Sequence, residues 1–257
     1  SEKTEQTMSD VLLSIDDQVA TLTINRPEKG NAVTLDAFSL MSGHLDDLAT
    51  GLVRAVVITG AGDRAFSAGM DLSDVSDPSS WVENPLTKFC DRLERFPKPT
   101  IARINGAVIG GSVEIALSCD LRVGRDTSKL RVPAISLGVH YEYEGLTRAV
   151  KTLGPQAARR IYMLGEKLDA KALMDMGFFD HCVPLDQLDD AIKTVLGAIC
   201  AGAPLAVNGA KQTIAEILAG ESSDAAKIRV KQAWASDDMK EGLAAIREKR
   251  PPNFKGV

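Results

Sequence analysis

The chain has 257 residues, 44% of them hydrophobic and 25% charged, with a formal net charge of −5. That suffices for one globular domain or a domain with a helical appendage, and the acidic balance argues against nucleic acid as a main partner, since phosphate binding needs a basic face. The apolar runs fall far short of about 18 residues, so no segment is expected to span a membrane.

Residues 1–10 are polar and carry neither the apolar run of a signal peptide nor an arginine-rich transit pattern; they are expected to be flexible. Val11–Ile15 and Val19–Ile24 are β-branched and apolar, and Asp16-Asp17-Gln18 between them signals a hairpin. Arg26-Pro27-Glu28-Lys29-Gly30-Asn31 reads as a loop. Thr34 is placed as an N-cap, because Leu35, Phe38, Met41, Leu45 and Leu48 then recur at helical spacing. Leu52–Thr59 is a nearly continuous apolar run, as expected of a buried strand.

The alternation repeats. Leu86–Phe96 has helical spacing, Thr100–Ile104 reads as a strand, Gly110–Ser118 as a short buried helix, and Leu121–Gly124 and Lys129–Val132 as strands. An α/β core of similar turns follows. Beyond Gly145 the pattern becomes helical. Pro155 can open one helix and Gly165 close it; Asp169 can cap the next and Gly177 end it. Leu185–Ala201, Pro204–Leu218, Ser222–Trp234 and Asp237–Lys249 all read as helices whose apolar stripes must bury against the core or a neighbouring subunit. Cys90, Cys119, Cys182 and Cys200 fit no metal-ligand spacing, so reduced thiols in a cytoplasmic setting are expected, and no metal.

Two glycine-bearing stretches carry the chemistry. In Asn105-Gly106-Ala107-Val108-Ile109-Gly110-Gly111-Ser112-Val113-Glu114, Gly110-Gly111 open a helix, whose first amides lack internal partners and point outward. Glu114 lies three residues after Gly111, on the same side of the first turn, so its carboxylate falls near whatever the Gly111 amide binds. Alternatively this is a helix start packed tightly on a strand, with Glu114 as a dipole partner. In Arg64-Ala65-Phe66-Ser67-Ala68-Gly69-Met70-Asp71-Leu72, the turn offers a second open amide at Met70, or is a plain tight turn with Asp71 capping the short helix that follows. The pair is more specific than either half.

With these blocks, Asn25-Arg26-Pro27 with Asn31-Ala32, Gly165-Glu166 with Ala172 and Gly177, and the ending Glu248-Lys249-Arg250-Pro251-Pro252-Asn253-Phe254, nearly the whole chain resembles the crotonase superfamily of enoyl-CoA hydratases and isomerases. The resemblance implies a spiral of ββα turns over 11–195. It implies a helical region over 196–257 for oligomerisation as a homotrimer or dimer of trimers, contributing part of the CoA site. It implies that the Met70 and Gly111 amides hold a thioester oxygen, that Lys29, Ala68, Met70, Asp71 and Leu72 border CoA, and that Phe254 and Lys255 reach it from a neighbouring subunit. Lys29 and Lys255 read equally well as solvated surface charges. No cofactor is implied beyond the CoA carried by the substrate, and no membrane or nucleic-acid partner.

The chain departs from the resemblance in one place. Hydratases of the family use two glutamates; Glu114 matches the first, but Ala134 stands after Pro133 where the second belongs. The large side chains of His140-Tyr141-Glu142-Tyr143-Glu144 occupy a stretch that is rich in small residues in ordinary hydratases. Glu142 lines up with an acidic position that some isomerases, hydrolases and dehalogenases use; Glu144 reads instead as a first-turn helix acid. His140 and the tyrosines could hold a polar or aromatic acyl group or a water, or form an exposed loop. Trp81 lines an acyl pocket or pins a flap over 74–85. His44 and His181 read as structural.

The expected activity is hydration of, or elimination to, an enoyl-CoA through a stabilised enolate, with Glu114 as acid and base. Double-bond isomerisation is the close alternative. Hydrolysis, C–C cleavage or decarboxylation using Glu142 come next, and a protein that binds acyl-CoA without turnover is the rival of another class.

Overall fold

The computed structural model describes residues 9–74 and 84–257; Trp81 and most of the segment expected to be flexible lie outside them. The hairpin forms as read: β1 (Val11–Asp16) pairs antiparallel with β2 (Val19–Ile24). The Thr34 side chain accepts from the Ala37 amide at 3.1 Å and starts α1 (Leu35–Thr50), whose Phe38, Met41, Leu45 and Leu48 are buried. Three turns follow, each giving one strand to a large sheet and one to a small sheet. β3 (Ala55–Gly60) and β4 (Ala65–Ser67) precede α2 (Pro85–Glu94). β5 (Thr100–Ile104) and β6 (Ala107–Ile109) precede α3 (Ser112–Ser118). β7 (Leu121–Arg125) and β8 (Lys129–Arg131) precede α4 (Ala134–Leu137) and α5 (Tyr143–Tyr162).

Then come β9 (Leu168–Asp169), α6 (Ala170–Asp175), β10 (His181–Val183) and four helices, α7 (Leu188–Ala201), α8 (Pro204–Ala219), α9 (Asp224–Ala235) and α10 (Asp237–Glu248). The large sheet runs β1-β2-β3-β5-β7-β10 and the small one β4-β6-β8-β9. Apart from the β1–β2 and β8–β9 pairs, all neighbours are parallel. This is the expected spiral: successive turns stack so that Val56 aligns with Thr100 and Ile101 with Leu121.

A parallel strand covered on both faces needs apolar residues at every position, and β3 is buried along its whole length. α1 packs on α2, with the Phe38 and Phe89 rings 5.7 Å apart. Phe66, Phe89 and Phe178 are among the largest fully buried side chains, each worth about 1.5–3 kcal/mol of burial. The described residues contain no single helix long and apolar enough to cross a membrane.

Several boundaries differ from the sequence reading. Leu52 is 95% exposed, and β3 starts at Ala55, because Leu52 lies in the turn after α1 with no strand to pair with. β4, β6, β9 and β10 were not expected as strands; with two or three residues each, they are too short to show a period of two. The helix expected to open at Pro155 is preceded by another from Tyr143, and the two meet at a break where Gly154 adopts φ 81°. Asp169 does cap α6, accepting from the Ala172 amide at 2.9 Å, and Gly177 follows it at φ 77°.

Candidate active site

Two buried asparagines fix the loops that carry the glycines. Asn31 donates to the carbonyls of Ala61 and Ala65 at 3.0 and 2.8 Å. Asn105 donates to Gly60, Gly62 and Ala65 at 3.0, 2.7 and 3.2 Å. Both side chains are buried, so each satisfies main-chain oxygens that would otherwise be stranded. Ser67 Oγ then donates to the Asn31 carbonyl at 2.7 Å and accepts from the Gly69 amide at 3.0 Å. Ser112 Oγ lies 2.7 Å from the Ser67 carbonyl, which ties the start of α3 to the Gly69 turn.

That turn leaves one amide open by design. Met70 forms an isolated parallel bridge with Val33, in which the Val33 amide donates to Gly69 and the Asp71 amide donates to Val33, at 2.8 and 2.9 Å. Because both flanking residues of Met70 are used on that edge, the Met70 amide faces the other side, with no backbone partner among the described residues. The Gly111 amide is similarly unpaired, since Gly110 donates to Arg131 while the Gly111 carbonyl receives Glu114 and Ile115. The two loops touch: Gly69 has φ +87°, and a Cβ built there would stand 2.6 Å from the Gly111 nitrogen. Glycine is required at 69 for both reasons. Two open amides therefore sit side by side at the start of a helix fully buried among its neighbours.

Glu114 projects from the first turn of α3 and is 2% exposed. Its Oε1 accepts from Arg148 Nη1 at 2.7 Å. Arg148, itself 4% exposed, also donates to Glu94 at 3.2 Å and to Asp91. One guanidinium thus serves three carboxylates. Burial pushes the Glu114 carboxyl up to about 7; Arg148 pulls it down, and Glu142 and Asp91 push it further up. A carboxyl poised near neutrality can take or give a proton with little driving force lost.

Glu142 is the N-cap residue of α5, and its Oε2 accepts from Thr87 Oγ1 on α2 at 2.8 Å. Its charge is felt by Glu114, so the structure gathers these two carboxylates in one region. Ala134 is buried in the core cluster and offers only a methyl group. In the stretch ahead of α5, His140 and Tyr143 are exposed, whereas Tyr141 turns inward and packs edge-on against Tyr162, centroids 5.0 Å apart.

The remaining expected positions divide in two. Lys29 ends a 3-10 turn over Pro27–Lys29 and is exposed. The Ala68 amide donates to Gly30 at 2.9 Å, so the Lys29 loop and the Ala68–Leu72 turn form one wall. Asp71 accepts from Ser73 and pairs with Arg26 at 2.7 Å, which hold its carboxyl down at about 2; it serves as local scaffold as well as lining that wall. Leu72 is 64% exposed. Phe254 lies against Gly242, and the Lys255 amide donates to Asp238 at 2.7 Å. No hydrogen bond or ion pair among the described residues links these two to the glycine loops within one chain.

Arg148, Thr87 and Tyr162 were not assigned roles from sequence; of the 140–143 side chains expected to hold an acyl group or a water, or to form an exposed loop, Tyr141 alone turns inward. Arg148 offered no signal, since a lone arginine inside a helix reads as a surface charge.

The enoyl-CoA hydratase/isomerase family model matches residues 14–257. The chain is 28% identical to a short-chain-enoyl-CoA hydratase of Clostridium acetobutylicum, over 95% of this chain and 96% of that one. It is 27% identical to a methylmalonyl-CoA decarboxylase of Escherichia coli, over 93% and 95%. Among solved structures, an enoyl-CoA hydratase/carnithine racemase from Magnetospirillum magneticum superimposes with a TM-score of 0.90 at 28% identity, covering 98% of this chain and 97% of that one.

Proposed function

We propose that this chain, which belongs to the enoyl-CoA hydratase/isomerase family, hydrates an enoyl-CoA thioester, and dehydrates the product, with Glu114 as the sole carboxylate moving the proton. The observation that carries this reading is that the Gly69-Met70 turn meets Gly111, leaving the Met70 and Gly111 amides without backbone partners among the described residues, at the start of the short helix whose first turn bears a buried carboxyl held near neutrality. The thioester oxygen accepts from both amides. Preorganised donors aimed at a developing oxyanion are worth about a hundredfold or more each.

In the hydration direction the water oxygen bonds to C3, the C2–C3 π pair moves toward C1, and charge collects on the thioester oxygen. The water proton passes to Glu114. Glu114 then delivers that proton to C2 as the enolate collapses, so that one water has been added and the carboxylate is restored. Arg148 holds the unused carboxylate oxygen and fixes the direction of the other. The Lys29 loop and the Ala68–Leu72 turn border the CoA moiety in this reading.

A second reading is favoured by the methyl group at Ala134. Loss of carbon dioxide from a malonyl-type thioester needs the same two amides and one proton donor, with no activated water. The C2–C3 pair stays behind as the enolate, and protonated Glu114 supplies C2. Incubation with crotonyl-CoA and with methylmalonyl-CoA in heavy-oxygen water, read by mass spectrometry, separates the two. Labelled 3-hydroxybutyryl-CoA supports hydration, and unlabelled propionyl-CoA supports decarboxylation. Labelled free acid with released CoA would sink both in favour of a hydrolase.

A further inference from the structure

The stretch between α4 and α5 carries one polar group that no contact explains. Tyr141 is partly buried, and its hydroxyl has no hydrogen-bond partner among the described residues. Its position is nevertheless fixed. The ring is wedged edge-on against Tyr162 at an interplanar angle of 65°, and Tyr162 is itself in the core. The hydroxyl lies over the glycine loop, 4.0 Å from where a Cβ on Gly110 would stand. A Cβ there would be in ordinary contact with it, and the Gly110 φ of +60° favours glycine. Burial, and after it the Glu114 carboxylate, raises the Tyr141 phenol above the ordinary range and keeps it a donor.

The hydroxyl is unpaired among the described residues but not sealed from solvent, so a rigid donor on a ring with few rotamers is left open to a bound molecule. Its location limits what it can meet. The Gly111 amide, one residue beyond Gly110, addresses the thioester oxygen on C1, and Glu114 addresses C2. A hydroxyl that faces both the glycine loop and Glu114 meets the acyl chain just past them.

The geometry points to Tyr141 as a further catalytic residue, whose hydroxyl donates a hydrogen bond to an oxygen on C3 of the acyl group. The inference rests on the acyl-CoA reading above and deepens it. The oxygen is that of the water or 3-hydroxyl in hydration, or of the carboxylate in a malonyl-type thioester. Tyr141 keeps its proton throughout; it holds the C3 oxygen while Glu114 moves the proton. It thereby supplies a polar contact where Ala134 supplies none.

The test is calorimetric titration of the wild-type protein and Tyr141→Phe with acetoacetyl-CoA and with butyryl-CoA. The first carries an oxygen on C3 and cannot be dehydrated; the second lacks it. A single neutral hydrogen bond implies a preference of about tenfold for acetoacetyl-CoA in the wild type. In Tyr141→Phe that preference should fall to near unity, through weaker acetoacetyl-CoA binding with butyryl-CoA unchanged. A second arm compares the two proteins on crotonyl-CoA and on methylmalonyl-CoA: the substrate turned over by the wild type identifies the source of the oxygen, and its kcat should drop at least tenfold in the variant. An undiminished preference in Tyr141→Phe, or none in the wild type while both thioesters bind, overturns the role of Tyr141 and leaves the acyl-CoA reading standing. Failure of both thioesters to bind the wild type overturns that reading and this inference together.

Discussion

Arg148 Nη1 lies 2.7 Å from Glu114 Oε1, and the two side chains are 4% and 2% exposed. A buried pair of this kind is weak evidence of stability, because the desolvation of both ions offsets their attraction. Its value is geometric. Arg148 also binds Asp91 and Glu94 on α2, so α2, α3 and α5 are locked together around the Glu114 carboxylate. The raised Glu114 carboxyl shows that burial outweighs the neighbouring cation.

Replacement of Glu114 by Gln should lower turnover by about 10²–10⁴, the usual span for a general acid–base group. Binding of a non-reacting thioester such as butyryl-CoA should be retained, as the Met70 and Gly111 amides remain. Steady-state kinetics beside titration calorimetry decide it; turnover within threefold of wild type would remove Glu114 from the mechanism.

The activity should depend on pH through the same group. In both directions the step begins with Glu114 as carboxylate, so kcat/KM should rise with pH through about 7 and level off above it. Stability moves the opposite way. An unfolded glutamate releases its proton near pH 4.3, at about the reference value, whereas the folded chain keeps it to about 7. Between those values the unfolded state binds fewer protons, so the Glu114 contribution to stability declines as pH rises across that window. A pH–rate profile together with urea midpoints from pH 5 to 8 checks both halves.

Arg148→Met leaves three carboxylates without their shared cation. At pH 8, where Glu114 is charged, the loss should be about 3–5 kcal/mol, the cost of stranding a buried charge. At pH 6 it should be smaller, because Glu114 can stay protonated. The acid limb of the rate profile should also shift above 7, as the cation that pulls the Glu114 carboxyl down is gone. Equal destabilisation at both pH values would contradict the charge account.

Gly145 sits in the first turn of α5, where an added Cβ would stand 2.6 Å from Glu114 Oε2 and 3.0 Å from its Cδ. The carboxylate is buried and held on its other oxygen by Arg148, so it cannot swing aside cheaply. Gly145→Ala should therefore cut kcat by about tenfold or more through misplacement of the proton carrier. The helix itself favours alanine, so thermal unfolding should shift by far less than the rate. A large loss of stability with intact kcat would show that the backbone, and not Glu114, absorbs the added methyl.

The Tyr162 hydroxyl is buried with no hydrogen-bond partner among the described residues, although its ring supports Tyr141. Tyr162→Phe keeps the ring and removes the stranded group, so the melting temperature should stay level or rise. A fall of several degrees would mean that the hydroxyl is satisfied in solution.

The sequence by itself determined the alternation of strands and helices and the two glycine turns; the spiral was implied by the resemblance to the crotonase superfamily. Thr34 and Asp169 announce helix starts through side chains that cap amides three residues on, and the apolar runs at 52–59 and 100–104 announce buried strands, the first of which begins only at Ala55. These are local rules, legible within one turn or one strand. Glu114 was legible for the same reason, being three residues beyond Gly111. The tertiary structure alone decided what surrounds it. Arg148 is 34 residues from Glu114 and 57 from Asp91, and Thr87 is 55 from Glu142. No periodicity relates such positions; only the stacking of successive turns brings them together. The short strands β4 and β6 were hidden similarly, because three residues become a strand only when the next turn of the spiral pairs with them. Tyr141 and His140 are neighbours of similar polarity in sequence, yet one turns into the core and the other faces solvent. That division depends on where α5 begins and on the Tyr162 ring waiting beneath it, which are facts of packing in three dimensions.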